Sequence, residues 1–279
     1  MPAISVIILT KNEGRDLPVC LESLRWCNDV HVVDSGSEDR TVELASRAGA
    51  RVSCNAFESF GRQRNWALDH CHPKHDWILF LDADEKTTPE FVIAMESAIS
   101  IADEEVAGFY CCWKLLLNGR WLKRSDNFPK WQFRLLRHGR ARFTDFGHGQ
   151  KEGQIDGRLA YLREPYLHAP FGRGWEHWEE KHRKYARQEA VARLSLELRL
   201  RDIFSPHASR RNPAIKSLVS RWALWPEIRF VYTYLLRGGF FEGAEGLEYC
   251  RRMRWFEREV ASEMSALLTS KRSDSPGNV

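Results

Sequence analysis

Residues 78–85, Ile78-Leu79-Phe80-Leu81-Asp82-Ala83-Asp84-Glu85, run from an unbroken apolar stretch straight into carboxylates. The apolar part is long enough for one strand, and a strand covered on both faces shows no polar alternation. Carboxylates at its end fall where open α/β sheets bind ligands, beyond the carboxyl ends of the strands. Period-two alternation along the strand puts Asp82 and Asp84 on the same side of the chain. Two hard oxygen donors so placed suit a Mg²⁺ or Mn²⁺ ion carrying a diphosphate. An acidic strand-to-loop turn has the same composition, so the triplet acquires meaning only from its neighbours.

The neighbours repeat the pattern. Residues 3–10 and Val30 to Val33 are apolar runs ending in polar tips, Thr10 to Glu13 and Asp34 to Asp39. Val52 opens a short third strand, and Trp77 to Leu81 is the fourth. Between them Leu17, Cys20, Leu21 and Leu24 recur at helical spacing, Ser37 or Asp39 can cap a helix through Leu44 and Ala45, and Arg62 to Leu68 is helical. Strands and helices alternating at these intervals predict an α/β fold, a Rossmann-like, mainly parallel sheet flanked by helices.

After a helix around Pro89 to Ile101 the texture changes. Gly108 to Leu117, Phe133 to Leu136 and Arg158 to Leu162 read as strands added antiparallel to the sheet, joined by aromatic and basic loops. A charged helical pattern extends from Trp175 to about Arg201, then comes a break at Ser205 to Pro213. An aromatic segment from Leu218 to Phe241 is interrupted by Pro226, Glu227, Arg229 and Arg237, and a last helix runs from about Gly243 to Leu268. The expected organisation is a catalytic α/β domain over 1–170, a helical extension over 171–269 and a disordered polar tail over 270–279.

The net charge of +4 hides an asymmetry. Residues 1–110 carry 10 Lys/Arg against 19 Asp/Glu, residues 111–170 carry 12 against 5, and residues 171–260 carry 18 against 12. An acidic cation site with an anion-attracting remainder is one reading; solvated helix faces are the other. The seven cysteines form no C-x-x-C pair, which points to reduced thiols in a cytoplasmic protein. His70, Cys71, His72 and His75 lack the two-plus-two spacing of a zinc site and read as a loop. Ala3 to Leu9 is apolar, but no basic segment precedes it, so it reads as a first strand. No apolar run approaches the length of a membrane-spanning helix.

The ordered set Ser5 to Glu13, Val32-Val33-Asp34-Ser35-Gly36-Ser37-Glu38-Asp39-Arg40-Thr41, Arg64-Asn65 and Leu81 to Glu85 resembles family 2 glycosyltransferases with the GT-A fold. Within that family, His148-Gly149-Gln150-Lys151-Glu152 and the segment Arg229 to Gly246 are similar to bacterial enzymes of lipopolysaccharide core or other envelope glycans. The resemblance implies a nucleotide-sugar donor, a divalent metal (Mg or Mn), inversion at the anomeric carbon, and a glycan or lipid-linked acceptor. It places Thr10, Asn12 and Glu13 in the loop that holds the nucleoside. Asp34 would accept from the base, typically uracil N3–H. Arg64 would meet the diphosphate, Asp82 and Asp84 the ribose and metal, with Asp84 the direct ligand and His168 a late histidine on the same ion.

An inverting displacement needs a general base on the acceptor side. Glu152 is the choice, because 147–152 looks like a variant of a family His-Glu pair, here with His and Glu four residues apart; Asp145 is the alternative. Trp131 and Arg134 would line the acceptor or pyrophosphate side, and Trp113 and Trp121 could stack on sugar rings.

Trp222, Trp225, Phe230, Tyr232, Tyr234, Phe240 and Phe241, with Arg221, Arg229 and Arg237 nearby, have the composition of an interfacial helix pair on an anionic membrane. They would serve equally as a helical cap packed on the catalytic domain. A cytoplasmic enzyme, peripheral on the inner face of the membrane, fits the first reading. Two competitors stand beside the glycosyltransferase. A sugar-phosphate nucleotidyltransferase would want a Gly-rich phosphate loop after the first strand, where Thr10 to Arg15 holds one glycine. A non-catalytic basic module would bind nucleic acid or anionic lipid with steep salt dependence, yet the strand-tip carboxylates repel a polyanion, so no nucleic-acid partner is expected.

Overall fold

A computed structural model describes residues 3–146, 149–195, 203–205, 211, 215 and 218–273. Contact density divides the chain into two compact units: residues 1–123 with 127–174, and residues 124–126 with 175–279.

The first unit is built on one mixed sheet. Its strands are β1 (Ile4–Thr10), β2 (Val30–Asp34), β3 (Arg51–Cys54), β4 (Trp77–Asp82), β5 (Glu85–Lys86), β6 (Val106–Leu117), β7 (Arg120–Trp121), β8 (Trp131–Arg137) and β11 (Arg158–His168), in the order β3-β2-β1-β4-β8-β6-β11-β5 with β7 beside β6. β3, β2, β1 and β4 run parallel, as the alternation of strands and helices predicts. β8 enters antiparallel between β4 and β6, so β6 and β11 again point the same way as β4.

Alternation along the buried strands divides the apolar side chains between two layers. Val6, Ile8, Leu79 and Leu81 meet helices α1 (Leu17–Glu22), α2 (Thr41–Arg47) and α4 (Pro89–Ser100) through Leu17, Cys20, Ala45, Phe91 and Met95. Ile7, Val33, Ile78 and Phe80 meet α3 (Phe60–His70) through Ala67 and Leu68. The same layer takes Phe143 from a hairpin that the sequence reads as loop, β9 (Ala141–Phe146) with β10 (Gly149–Ile155). Its register shift beyond Glu152 and its polar β10 hide the strand pattern.

Two irregularities in the central strands re-aim side chains at the end of the sheet. Phe109 faces Leu135 while Tyr110 faces Phe133, so Arg134 is the extra residue of a bulge, a device that turns a side chain out of the regular alternation. In β11 the register slips between Leu162 and Tyr166, around Pro165. β11 therefore runs to His168, six residues beyond the expected end of that strand.

The second unit is helical: α5 (Gly174–Ser195), α6 (Trp225–Val231) continued by a π-helical turn Tyr232–Leu236, a 3-10 turn Gly239–Glu242, and α7 (Gly243–Ser273). Residues 124–126 belong to it because Glu242 accepts the backbone N–H of Arg124 and of Ser125, and Tyr249 donates to Asp126 at 2.6 Å. Nothing in local pattern announces that stitch. α7 is helical through Ser273, so the tail expected from 270 starts no earlier than 274; residues 274–279 lie outside the described residues, as does most of the break at 205–213.

Gly108 tests the register of β6 on β8. A Cβ there would lie 2.6 Å from the Phe133 ring and 2.7 Å from the Leu135 carbonyl oxygen, and the carbonyl cannot turn away. Gly108→Ala should cost about 1–3 kcal/mol, the usual range for overpacking. Urea denaturation followed by near-UV circular dichroism measures it; an unchanged midpoint would contradict the register.

Candidate active site

The strand tip at Asp82 is closed from below by two buried cations. Arg134, aimed by its bulge, donates to Asp82 Oδ2 at 2.7 Å, to Asp82 Oδ1 at 3.3 Å and to Glu85 Oε1 at 2.7 Å. Arg64 reaches the same Asp82 Oδ1 from α3 at 3.0 Å, its guanidinium packed near the rings of Phe80 and Phe143. Both arginines are 1% exposed. Glu85 is equally buried; it accepts from Tyr166 Oη at 3.1 Å and from the Asp82 backbone N–H at 2.8 Å.

Charge pairing decides the protonation of this knot. Burial would raise the Asp82 pKa, but Arg134 and then Arg64 hold it far below the usual carboxylate range. For Glu85 burial wins against Arg134, with Asp82 and Asp84 adding repulsion, and its pKa rises to about 7. Arg64 and Arg134, expected at the diphosphate and at the acceptor or pyrophosphate side, are both buried and paired with Asp82. Asp82 and Asp84 do not share one strand's alternation, because β4 ends at residue 82 and Ala83-Asp84 form a turn.

That turn brings Asp84 to the end of β11. β5 pairs antiparallel with the end of β11, setting His168 opposite Glu85, and the Ala169 N–H closes on the Asp84 carbonyl at 3.0 Å. His168 Nε2 then stands 3.4 Å from Asp84 Oδ2, with about a fifth of each side chain exposed. Burial alone would lower the His168 pKa, but the Asp84 carboxylate carries it above the ordinary imidazole value. Trp113 lies edge-on to His168, ring centroids 6.0 Å apart, and Lys130 sits over the Trp113 ring.

The Asp84–His168 pair fits a divalent ion. Adjacent donors on an octahedral ion with bonds of ~2.1 Å are roughly 3 Å apart, close to the spacing found here. Among the described residues no cluster of three or more His, Cys, Asp or Glu could hold a metal unaided. A two-donor protein set completed by phosphate oxygens and water is the habit of Mg²⁺ in nucleotide sites.

The loops after β1 and β2 are sewn together. Asn12, in the left-handed region at φ 55°, donates its N–H to Ser37 Oγ at 2.7 Å and accepts from the Glu38 N–H at 2.8 Å. Glu13 N–H donates to Thr41 Oγ1 at 2.8 Å, and its carboxylate pairs with Arg173 at 3.2 Å. Thr10 is buried and donates to Asp34 Oδ1 at 3.3 Å. Asp34 also accepts from Ser37 Oγ at 2.5 Å and from the N–H groups of Gly36 and Ser37 at 3.0 and 2.7 Å. Those bonds use the roughly four acceptor sites of a carboxylate. Asp34 is thus the keystone of its own turn, and a base N–H reaches it only by displacing one of these donors.

The two base candidates part company. Asp145 accepts from Ser59 Oγ at 2.7 Å and from the Gly61 N–H at 2.8 Å, which fixes it as the cap over the start of α3. Glu152 is half-buried on β10, and burial of the Tyr110 phenol together with the Glu152 carboxylate pushes that phenol above its ordinary pKa. Tyr110 stacks on Tyr161 at 5.1 Å, and Trp131, 36% exposed, meets Tyr161 edge-on at 4.9 Å. Gly147 and His148 lie outside the described residues. Trp121 is flanked by Lys114 and Lys123 and packs edge-on against Phe128. Glu85 and Tyr166 carry the site without any role foreseen from sequence; the only signal was the third acid of the 82–85 cluster.

Residues 5–164 match the family described as Glycosyl transferase family 2. An uncharacterized glycosyltransferase of Rickettsia bellii is 39% identical over 128 residues, 46% of this chain and 41% of that protein. The lipopolysaccharide core biosynthesis glycosyltransferase LpsC of Rhizobium meliloti is 28% identical over 145 residues, 50% of this chain and 53% of that protein. The chain thus spans about half the length of the curated relatives it matches. Among solved structures, S. aureus TarS 1-349 in complex with UDP-GlcNAc aligns with a TM-score of 0.45 at 17% identity, covering 97% of this chain and 92% of that one.

Arg134→Met removes a buried cation and leaves Asp82 and Glu85 facing each other. Breaking a buried pair from one side costs about 3–5 kcal/mol. Chemical denaturation of variant and wild type should show a loss of that size; a loss under about 1 kcal/mol would mean that the knot does not hold the strand tips.

Proposed function

The chain belongs to glycosyl transferase family 2, and from that premise we propose that it moves a sugar, with inversion, from a UDP-linked donor to a lipopolysaccharide-core or other lipid-linked envelope glycan. The observation that carries the reading is the Asp84–His168 pair, two partly exposed donors at the edge of the sheet beside an Asp82 locked by arginines. Membership in an enzyme family weighs against the non-catalytic binding module.

In this reading Asp84 and His168 hold Mg²⁺ or Mn²⁺, which neutralises charge on the departing diphosphate. The protein's own residues do the rest. Asp82, its side chain 37% exposed, offers a rigid carboxylate to the ribose hydroxyls. Asp34 takes the base N–H by giving up the Ser37 hydroxyl, while the stitched loops 10–13 and 34–41 form the wall behind the nucleoside. Trp113 shields the side of His168 from water.

Glu152 is the general base. It takes the proton from the acceptor hydroxyl as that oxygen bonds to the anomeric carbon and the carbon–diphosphate bond breaks on the opposite face. The row Trp131, Tyr161 and Tyr110 beside it offers aromatic faces of the kind sugar rings stack on. The acceptor class is supported by the name of the LpsC relative.

Release of UDP from a panel of UDP-sugars should depend on Mn²⁺ or Mg²⁺ and stop with EDTA. Asp84→Ala and His168→Ala should each lower kcat/KM by roughly 10²–10³, the scale of a lost transition-state charge contact. Turnover that is indifferent to EDTA, or that needs a different nucleotide, would contradict the metal or the uracil part respectively.

Glu152→Gln separates the base from the donor site. Transfer to acceptor should fall by roughly 10²–10⁴, the usual worth of a general base, with UDP affinity unchanged. Full transfer in this variant would remove Glu152 from the mechanism.

A further inference from the structure

The helix of residues 225–236 is amphipathic in the inverse sense. Its polar side faces the protein: Arg229 pairs with the buried Glu257 of α7, and Trp225 Nε1 donates to the same carboxylate at 3.0 Å. Arg193 of α5 closes on Glu257 at 2.8 Å. The apolar side faces out. Leu224, Ile228, Val231, Tyr232, Leu235 and Leu236 recur at helical spacing and are 42–76% exposed. Part of this stripe, with Ile215 and Val219, lines an apolar groove of about 650 Å³. Trp222, Phe240 and Phe241, each 45–66% exposed, extend the surface.

The helix cannot relieve this exposure by turning. Rotating the stripe inward would pull Arg229 and Trp225 off Glu257, leave the buried carboxylate to Arg193 alone and bury the Arg229 cation in its place, a cost that breaking a buried pair always carries. The unit therefore holds outward an apolar band of a kind monomeric proteins seldom show to water.

The charge around the band says what covers it. Among the described residues 218–241, Arg221, Arg229 and Arg237 stand against one acid, Glu227. Glu227 is neutralised by Arg254 and Arg258, whereas Arg237, at the end of the stripe, is exposed. A second copy of the chain would bring the same basic rim and be repelled, whereas anionic headgroups complement it. No helix among the described residues is long and apolar enough to cross a membrane, so the helix would lie along the surface.

We propose that residues 222–241 are a docking face for an anionic lipid bilayer, with the stripe sunk to the headgroup–acyl boundary and Arg237 on the lipid phosphates. The basis is the helical unit alone, independent of the donor, metal or base assigned above.

The test is cosedimentation of the full chain with vesicles of phosphatidylcholine, pure or mixed with phosphatidylglycerol. Wild type should pellet with the mixed vesicles, less so as salt is raised. The double variant Ile228→Asp with Leu235→Asp should lower partitioning by on the order of 100-fold, and Arg237→Gln by about fivefold. Far-UV circular dichroism checks the fold, and Ile228→Ser with Leu235→Ser repeats the measurement with a milder change. Equal pelleting of wild type and both double variants, or none by wild type, would overturn the proposal. So would a concentration-dependent dimer in light scattering that these variants abolish while no lipid is bound.

Discussion

Arg134 is the side chain on which the tips of the sheet depend. A buried guanidinium must find carboxylates, and the bulge in β8 aims this one at two of them, Asp82 and Glu85. Both carboxylates are thereby held in place. Glu85 is drawn under the sheet, its short strand pairs with the end of β11, and that pairing carries His168 to Asp84. The arginine-held pair Asp82–Glu85 and the partly exposed pair Asp84–His168 thus meet at strand ends aligned by the β8 bulge and the β5–β11 pairing.

The same device appears in the helical unit. Glu257 is a buried carboxylate held between Arg193 and Arg229, as Asp82 is held between Arg64 and Arg134. In each case burial would raise the carboxylate's pKa and two arginines lower it. What the clamp achieves is orientation. At the strand tip it pins a carboxylate toward ligand; in the helices it pins an apolar stripe toward the outside. Replacing either clamp with apolar residues could preserve stability, but not the direction in which the neighbouring element faces.

The parallel half of the sheet was legible because apolar runs, polar tips and helical spacings agree with one another from Ile4 to Asp82. Three of the four family motifs end in loops at the strand tips, and the fourth, Arg64-Asn65, lies in α3 and reaches Asp82. What failed was geometry set by register. Alternation placed Asp82 with Asp84 on one side of a strand, but the strand ends at residue 82 and a turn follows at Ala83. Arg134 was expected on the acceptor or pyrophosphate side, and its pairing with Asp82 and Glu85 was not legible because a bulge cannot be seen without the partner strand. Arg64 and Asp34 carry the right chemistry, but one is spent on Asp82 and the other on its own turn. The β9–β10 hairpin was hidden by polar residues, and with it the capping role of Asp145.

The central claim is that His168 and Asp84, and not Asp82, meet the metal. The most direct measurement is pulsed electron paramagnetic resonance of Mn²⁺ added with UDP, which detects nitrogen bonded to the ion. The account predicts imidazole nitrogen coupling in the wild type and in Glu152→Gln, and its loss in His168→Ala. A Mn²⁺–UDP complex on folded wild-type protein without nitrogen coupling would contradict it, leaving the ion to carboxylates and phosphate alone.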